Sequence, residues 1–229
     1  MNDNQAVHEV PESPMTSGLV SGPRSWVPTG LPALDRVLNG GLVEGSTTLL
    51  AGRPGIGKTA LTLQMLDGLR CRCLYVTGEE TREHVEARGR SVGTMSGRVH
   101  VIAERRLKEI LKQAQSMQAQ VLAVDTIQLL SCEHVRDRPG LPARLRECTA
   151  RLINYAGTTG TTLWLIGHLT ACGDVAGPIT IEHSVDVVLR LDQGDDVQIL
   201  SLSKNRFGTT NAVGRLRLTA RGFVEVDER

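Results

Sequence analysis

The chain has 229 residues, 40% hydrophobic and 22% charged, with a formal net charge of +1. That is the size and texture of one globular α/β domain or two small ones, and a balance so near neutral gives no global basic field to announce nucleic acid. Aromatic residues are only 3% of the chain, which argues against extensive base stacking; with no membrane-length apolar run and no signal-peptide core, a cytoplasmic protein with no membrane partner is expected.

Residues 1–25 are rich in Pro, Ser, Gly, Asn and acidic side chains without periodicity, which predicts a flexible tail ahead of a single domain over 26–229. Thr29 to Leu38 reads as a short capped helix, closed by the turn Asn39-Gly40-Gly41. Thr47 to Ala51 is an apolar run typical of a buried strand, and Ala60 to Leu66 has the composition of a helix. Between them lies Gly52-Arg53-Pro54-Gly55-Ile56-Gly57-Lys58-Thr59, a full-length G-x-x-x-x-G-K-T motif in the strand–loop–helix setting that the pattern requires. Glycines let successive backbone N–H groups curl around a polyphosphate, and the helix N-terminus adds a favourable partial charge. Lys58 is expected to reach the β- and γ-phosphates of ATP and the Thr59 hydroxyl to ligate Mg²⁺, with Gly52 to Thr59 and Ala60 forming the nucleotide-binding segment.

Cys73 to Thr77 reads as a second strand, Arg82 to Arg90 as a helix, and Arg98 to Ile102 as a third strand. Leu107, Ile110, Leu111, Ala114 and Met117 then recur at helical spacing. Val121 to Asp125 is continuously apolar until its last residue, as a fully covered parallel strand should be. An acid closing such a strand lies beside the phosphate loop, so Asp125 is the expected partner of the Mg²⁺ shell. Ser131 to Pro142 reads as a loop. Leu145, Cys148, Leu152, Ile153 and Ala156 mark a helix expected to stop at Gly157, and Thr161 to Ile166 is the next strand. After the polar stretch Leu169 to Pro178, the period becomes strand-like. Asp186 to Leu191, Val197 to Ser203, Val213 to Leu218 and Phe223 to Val226 read as a meander at one edge of the sheet. Alternating β and α followed by strands alone predicts an α/β fold, with a mostly parallel sheet, helices on both faces and an antiparallel C-terminal extension.

Other residues carry chemistry less specifically. Glu79 and Glu80 follow the second strand; a carboxylate there could polarise the water that attacks a γ-phosphate, or both could be exposed acids favoured by a helix N-terminus. Lys204 and Arg206 project to one side between two late strands, either as a solvated hairpin turn or as cations offered to a neighbouring subunit's γ-phosphate. His168 could sense the γ-phosphate or cap a loop, and Glu182 and His183 have no partner at metal-ligand spacing. The five cysteines contain no C-x-x-C pair, so no zinc site is expected. Cys71 and Cys73 flank one residue and face the same way, and small buried thiols in a reducing compartment are the expectation.

These blocks, in this order, resemble the RecA-type ATPase core of bacterial RadA (Sms) proteins, a family of DNA-repair and branch-migration ATPases. The resemblance is carried by Thr29 to Leu42, Tyr75 to Thr81, Val124 to Leu129, Ile166 to Thr170, Ala176 to Pro178 with Glu182 and His183, and above all Lys204-Asn205-Arg206-Phe207-Gly208. It implies a RecA-like P-loop NTPase working as a homo-hexameric ring, with ATP between subunits, on single-stranded or branched DNA in recombination and repair, with a recombinase as a partner. Lys204 and Arg206 would then act in trans, Glu79 as the catalytic base, Glu80 as a supporting acid and His168 as the sensor. The stretches 131–142 and 169–178 would line the channel, with Arg136, Arg138 and Arg144 giving an electrostatic grip on DNA. Two departures stand out. RadA proteins carry a four-cysteine zinc finger and a Lon-protease-like domain, whereas residues before Trp26 hold no cysteine and the chain ends at Arg229, so a natural stand-alone core is expected. Ala171 also stands where the family usually has a lysine, which removes an expected phosphate contact. A KaiC-like regulatory ring signalling to a protein partner shares the Glu-Glu and K-x-R arrangements and is the alternative.

Overall fold

The protein is described by a computed structural model covering residues 25–93, 97–132, 141–169 and 180–226. The N-terminal tail expected over 1–25 falls almost wholly outside the described residues, as does most of each expected channel loop.

The elements follow the chain as β1 (Trp26–Val27), α1 (Pro32–Val37), β2 (Leu42–Val43), β3 (Thr47–Gly52), α2 (Lys58–Gly68), β4 (Cys73–Thr77), α3 (Arg82–Ser91), β5 (Val99–Ala103), α4 (Leu107–Ser116), β6 (Val121–Asp125), α5 (Leu141–Thr159), β7 (Thr162–His168), α6 (Thr180–Ser184), β8 (Val187–Gln193), β9 (Gln198–Asn205), β10 (Val213–Thr219) and β11 (Gly222–Glu225). One nine-stranded sheet takes the order β11-β10-β9-β8-β3-β7-β6-β4-β5, while β1 and β2 pair in a small separate ribbon. From β5 across to β8 the strands run parallel, and β9, β10 and β11 extend the sheet antiparallel. The expected fold class is therefore borne out. The switch to antiparallel falls one strand later than the sequence pattern suggests, because β8 pairs in parallel with β3 before the meander turns back.

The sheet's two faces explain why β3, β4, β6 and β7 read as unbroken apolar runs. On one face Leu50, Tyr75, Ala123, Trp164 and Leu189 pack under α1 and α2, together with Phe223 from β11. On the other, Leu49, Leu74, Val124, Leu163 and Leu165 pack under α4 and α5. The buried indole N–H of Trp164 donates to Thr62 Oγ1 at 3.0 Å. The helix expected to stop at Gly157 runs on to Thr159. Gly157 meets nothing that would oppose a side chain, and the chain turns at Gly160, whose φ of +73° suits a helix terminator.

The β10–β11 hairpin is the part of the extension nearest the phosphate loop. Gln64 on α2 clasps it through both polar atoms, accepting from Phe223 N at 2.7 Å and donating to Phe223 O at 2.8 Å. The Phe223 ring sits so close to Gly57 that a Cβ there would lie 2.7 Å from its Cζ, and Gly57 also needs a φ of +107°. Steric room and backbone sign both require glycine. Phe223→Ala should lose about 3–5 kcal/mol of stability, the usual cost of emptying a buried aromatic site. Urea unfolding of the two proteins measures this, and a loss below about 1 kcal/mol would show that the ring does not anchor the hairpin.

Candidate functional site

The carboxyl ends of β3, β4, β6 and β7, neighbours across the sheet apart from the late strands, bring together residues that lie far apart in sequence. The turn from β3 into α2 is the phosphate loop. Lys58, the first residue of α2, is 5% exposed. Its ammonium donates to the carbonyls of Gly52 and Arg53, both at 2.9 Å, and lies 3.3 Å from Nδ1 of His168 at the end of β7. Burial pulls its pKa below the usual lysine range, opposed by the charges of Asp125 and Glu79.

His168 links this lysine to a carboxylate. Its Nε2 is 2.9 Å from Oε1 of Glu79, which also accepts from the Thr126 hydroxyl at 3.1 Å. The ring of His168 thus bridges Lys58 on its Nδ1 side and Glu79 on its Nε2 side. Burial works to raise the pKa of Glu79. The hydrogen bonds from His168 and Thr126 outweigh it and hold the carboxyl below its ordinary value. Glu79 is therefore an ionised acceptor at neutral pH.

Asp125 ends β6 and is 7% exposed. Its Oδ2 accepts from the Thr59 hydroxyl at 2.6 Å and, in a short contact, from the hydroxyl of Tyr75 on β4. Burial first, and then the Asp125 charge, push the phenol of Tyr75 well above its usual range, so it remains a donor. Two hard oxygen donors, a threonine hydroxyl and a carboxylate, meet beside the phosphate loop, which is the chemistry Mg²⁺ accepts when phosphates complete its shell. Thr59 and Asp125 thus fit the expected ion.

The sequence-derived residues do not all converge. Glu80 turns away to pair with Arg88 on α3 at 2.8 Å, while its backbone N–H donates to Thr77 Oγ1 at 2.9 Å. Of the two acids, only Glu79 joins the Lys58–His168 network. Lys204 faces the end of α6 and donates to the carbonyls of Glu182, His183 and Val185 at 3.0, 2.8 and 2.6 Å. Burial and the nearby Arg206 charge lower its pKa. Arg206 pairs with Asp186 at 3.1 Å, and Asp186 in turn accepts from the backbone and hydroxyl of Thr47 at 2.9 and 2.8 Å. Glu182 and His183 contribute carbonyls rather than side chains to this arrangement. Arg136 and Arg138 lie outside the described residues; Arg144 lies on α5, its Nε buried with no hydrogen-bond partner among the described residues.

Sequence reasoning missed Tyr75, Thr126 and Asp186. A lone tyrosine inside an apolar strand is a signal only once a buried acceptor is known to face it. Thr126, directly after a strand-ending aspartate, could have been marked from position.

This fold and loop define a RecA-like P-loop NTPase domain. A family model described as "ATPase: KaiC" matches residues 27–100. A KaiC-like protein from Pyrococcus horikoshii superposes with a TM-score of 0.73 at 21% identity, over 90% of this chain and 100% of that one, a likeness of fold alone. In sequence the chain is similar to proteins named RadA. It is 41% identical over 202 residues to "DNA repair protein RadA" of Pseudomonas aeruginosa, covering 86% of this chain and 45% of that one. It is 37% identical over 219 residues to the protein of that name from Bacillus subtilis, covering 93% and 48%. The chain thus spans about half the length of the curated relatives it matches. Among the described residues, no helix is long and apolar enough to cross a membrane.

Because Asp125 is buried and Tyr75 is one of its donors, Tyr75→Phe should cost about 1.5–3 kcal/mol, the usual value of a hydrogen bond to a charged group. Denaturation with and without Mg²⁺–ATP measures it. An unchanged midpoint in both conditions would mean that Tyr75 is not what holds the aspartate.

Proposed function

We propose that this chain is a RadA-type ATPase whose hydrolysis is coupled to single-stranded or branched DNA in recombination and repair. One observation carries the catalytic half of this reading. Lys58, His168 and Glu79 form a continuous hydrogen-bonded line beside the Thr59–Asp125 pair, all at the carboxyl ends of adjacent parallel strands. The kinship with RadA supports the DNA half.

In this reading Gly52 to Ala60 cradle the polyphosphate of ATP, and Lys58 leaves its loop carbonyls to take the β- and γ-phosphate oxygens. Mg²⁺, when bound, would be held by Thr59 and Asp125 and would neutralise charge on the phosphates. Glu79 accepts the proton of the attacking water, its carboxylate aimed by Thr126 and His168. Movement of Lys58 alters the bond to His168 Nδ1, so the histidine registers nucleotide occupancy at the entrance to the 169–178 stretch. Glu80 positions α3 through Arg88. Lys204 and Arg206 act in trans in a homo-hexameric ring, and the cations around 136–144 grip DNA. The 26–229 segment works as one domain.

A second reading, a KaiC-like regulatory ring independent of DNA, is favoured by one observation. Lys204 already spends its donors on three carbonyls of its own chain. Steady-state ATP hydrolysis at low salt, with and without single-stranded DNA, separates the two. DNA should stimulate turnover, Lys58→Ala should abolish it, and Lys204→Ala should remove the stimulation. Turnover that ignores every form of DNA would favour the regulatory ring. Glu79→Gln should retain ATP binding while lowering turnover about 10²–10⁴-fold, the range for loss of a general base. Full activity in that variant would sink the assignment of Glu79.

A further inference from the structure

The opposite end of the sheet carries chemistry that the ATPase reading does not use. Cys73 is the first residue of β4 and is wholly buried, whereas Cys71, two residues earlier, is partly exposed. Their Sγ atoms lie 3.6 Å apart. The expectation of small buried thiols thus holds for Cys73, whereas Cys71 is only partly buried. Cys71 lines a cleft of about 710 Å³ at the amino ends of the strands, beside Glu44, Arg70, Gln118, Tyr155 and Thr161. β4 separates this cleft from the phosphate loop by about 13 Å of extended chain.

We infer that Cys71 and Cys73 form a reversible thiol-oxidation site, in which a small hydroperoxide entering the cleft oxidises Cys71 and Cys73 then closes a disulfide onto it. Geometry supplies the main argument. The two residues flank a single position where the chain bends into a strand, so both side chains leave the same face. Rotation of the side chains has to bring the sulfurs from 3.6 Å to the roughly 2.05 Å of a bond. One thiol is open to solvent and its partner is shielded, the division of labour between an attacking and a resolving cysteine.

The titration of the pair agrees with that division. The hydrogen bond from Cys73 lowers the pKa of Cys71 to about 7, against burial and the Glu44 charge. The same bond, together with burial, pushes Cys73 up, so the proton shared by the pair stays on the inner sulfur. Cys71 therefore reacts through its thiolate form. Its sulfur attacks one peroxide oxygen, the O–O bond breaks, and the departing hydroxide takes up a proton as water, leaving a sulfenic acid. Cys73 Sγ then attacks Cys71 Sγ; the S–S bond forms as the S–O bond breaks, and the second hydroxide leaves with the Cys73 proton as water. Two electrons pass from the thiols to one hydrogen peroxide, giving two waters. With a single residue between the two cysteines such a disulfide has little slack, and strained, accessible disulfides are the readily reduced ones.

The sequence provides an internal reporter. Trypsin cuts after Arg70 and Arg72, so in the reduced protein Cys71-Arg72 is released as a dipeptide, apart from the peptide that begins at Cys73. The full chain is treated with an equimolar amount of hydrogen peroxide, its remaining thiols are alkylated, and it is digested without reductant. The dipeptide should stay joined to the Cys73–Arg82 peptide and be released by dithiothreitol. Cys71→Ser, a change at a partly exposed position, should abolish the link. Conversion of Cys71 to sulfinic acid with Cys73 still alkylatable overturns the proposal, as does a link from Cys71 to any other cysteine. A second measurement needs no oxidant. Phenylarsine oxide bridges two neighbouring thiols, so one equivalent should protect both Cys71 and Cys73 from iodoacetamide in the wild type. In Cys71→Ser it should leave Cys73 unprotected. Failure to protect the wild-type pair would show that the two sulfurs cannot meet. Iodoacetamide should modify Cys71 at pH 7 about tenfold faster than an ordinary exposed thiol, whose thiolate fraction there is only a few per cent. That advantage should shrink as pH rises past the usual thiol pKa. A rate no faster than the ordinary thiol at pH 7 would contradict the assignment of Cys71 as the attacking group.

Discussion

A buried ammonium organises this molecule. Lys58 is enclosed at the end of β3, where an unpaired charge would be costly. The chain meets that cost locally with the carbonyls of Gly52 and Arg53, and at longer range with His168 and the fields of Asp125 and Glu79. The loop curls through Gly55 and Gly57, whose φ angles of +79° and +107° are ones other residues avoid. The acids must lie on neighbouring strands, which fixes the order β3, β7, β6, β4 around the lysine. Each carbonyl contact of the lysine uses an N–H of the ammonium, a donor that phosphate oxygens also accept.

A second ammonium is handled differently. Lys204 satisfies its three donors on carbonyls at the C-terminal end of α6, a placement that complements the negative end of the helix. Arg206 is held on Asp186, which also ties down the start of β3 through Thr47. Both cations are therefore integrated into the fold of their own chain. A lysine that caps a helix cannot at the same moment reach a neighbouring subunit, so the proposed trans role requires an exchange. Leaving would free the carbonyls of α6, the helix that follows the 169–178 stretch. The cost of that exchange is set by hydrogen bonds to a charged donor, each worth about 1.5–3 kcal/mol, and it is recoverable only from something as negative as a phosphate.

Much of this was legible in the sequence, for reasons that differ from residue to residue. The phosphate loop is local: its glycines, lysine and threonine do their work within one turn, so spacing alone marks them. The buried strands were legible because parallel strands covered on both faces leave no room for alternation, and Val121 to Asp125 has none. Glu79 and Glu80 could not be separated by sequence, since adjacent residues at a strand end point to different sides and only the tertiary positions of His168 and Arg88 decide between them. Tyr75 stayed hidden because its partner lies 50 residues away. Gly157 misled because a helix end is set by where the backbone can turn, and that point is Gly160.

The strand β4 shows how far one element can serve two ends of a sheet. Its odd-numbered residues Cys73 and Tyr75 face the layer under α2, while Leu74 and Val76 face the opposite layer. Going up that first face, the strand meets a thiol 3.7 Å from the Leu66 carbonyl of α2, then the phenol that bonds Asp125, and past its last residue the carboxylate of Glu79. Parallel strands keep a fixed polarity, so reactive oxygens gather at the carboxyl end while the amino end remains open to different chemistry. A thiol pair there can change state without entering the phosphate loop. It nevertheless shares with that loop both the helix it touches and the strand face on which Tyr75 stands.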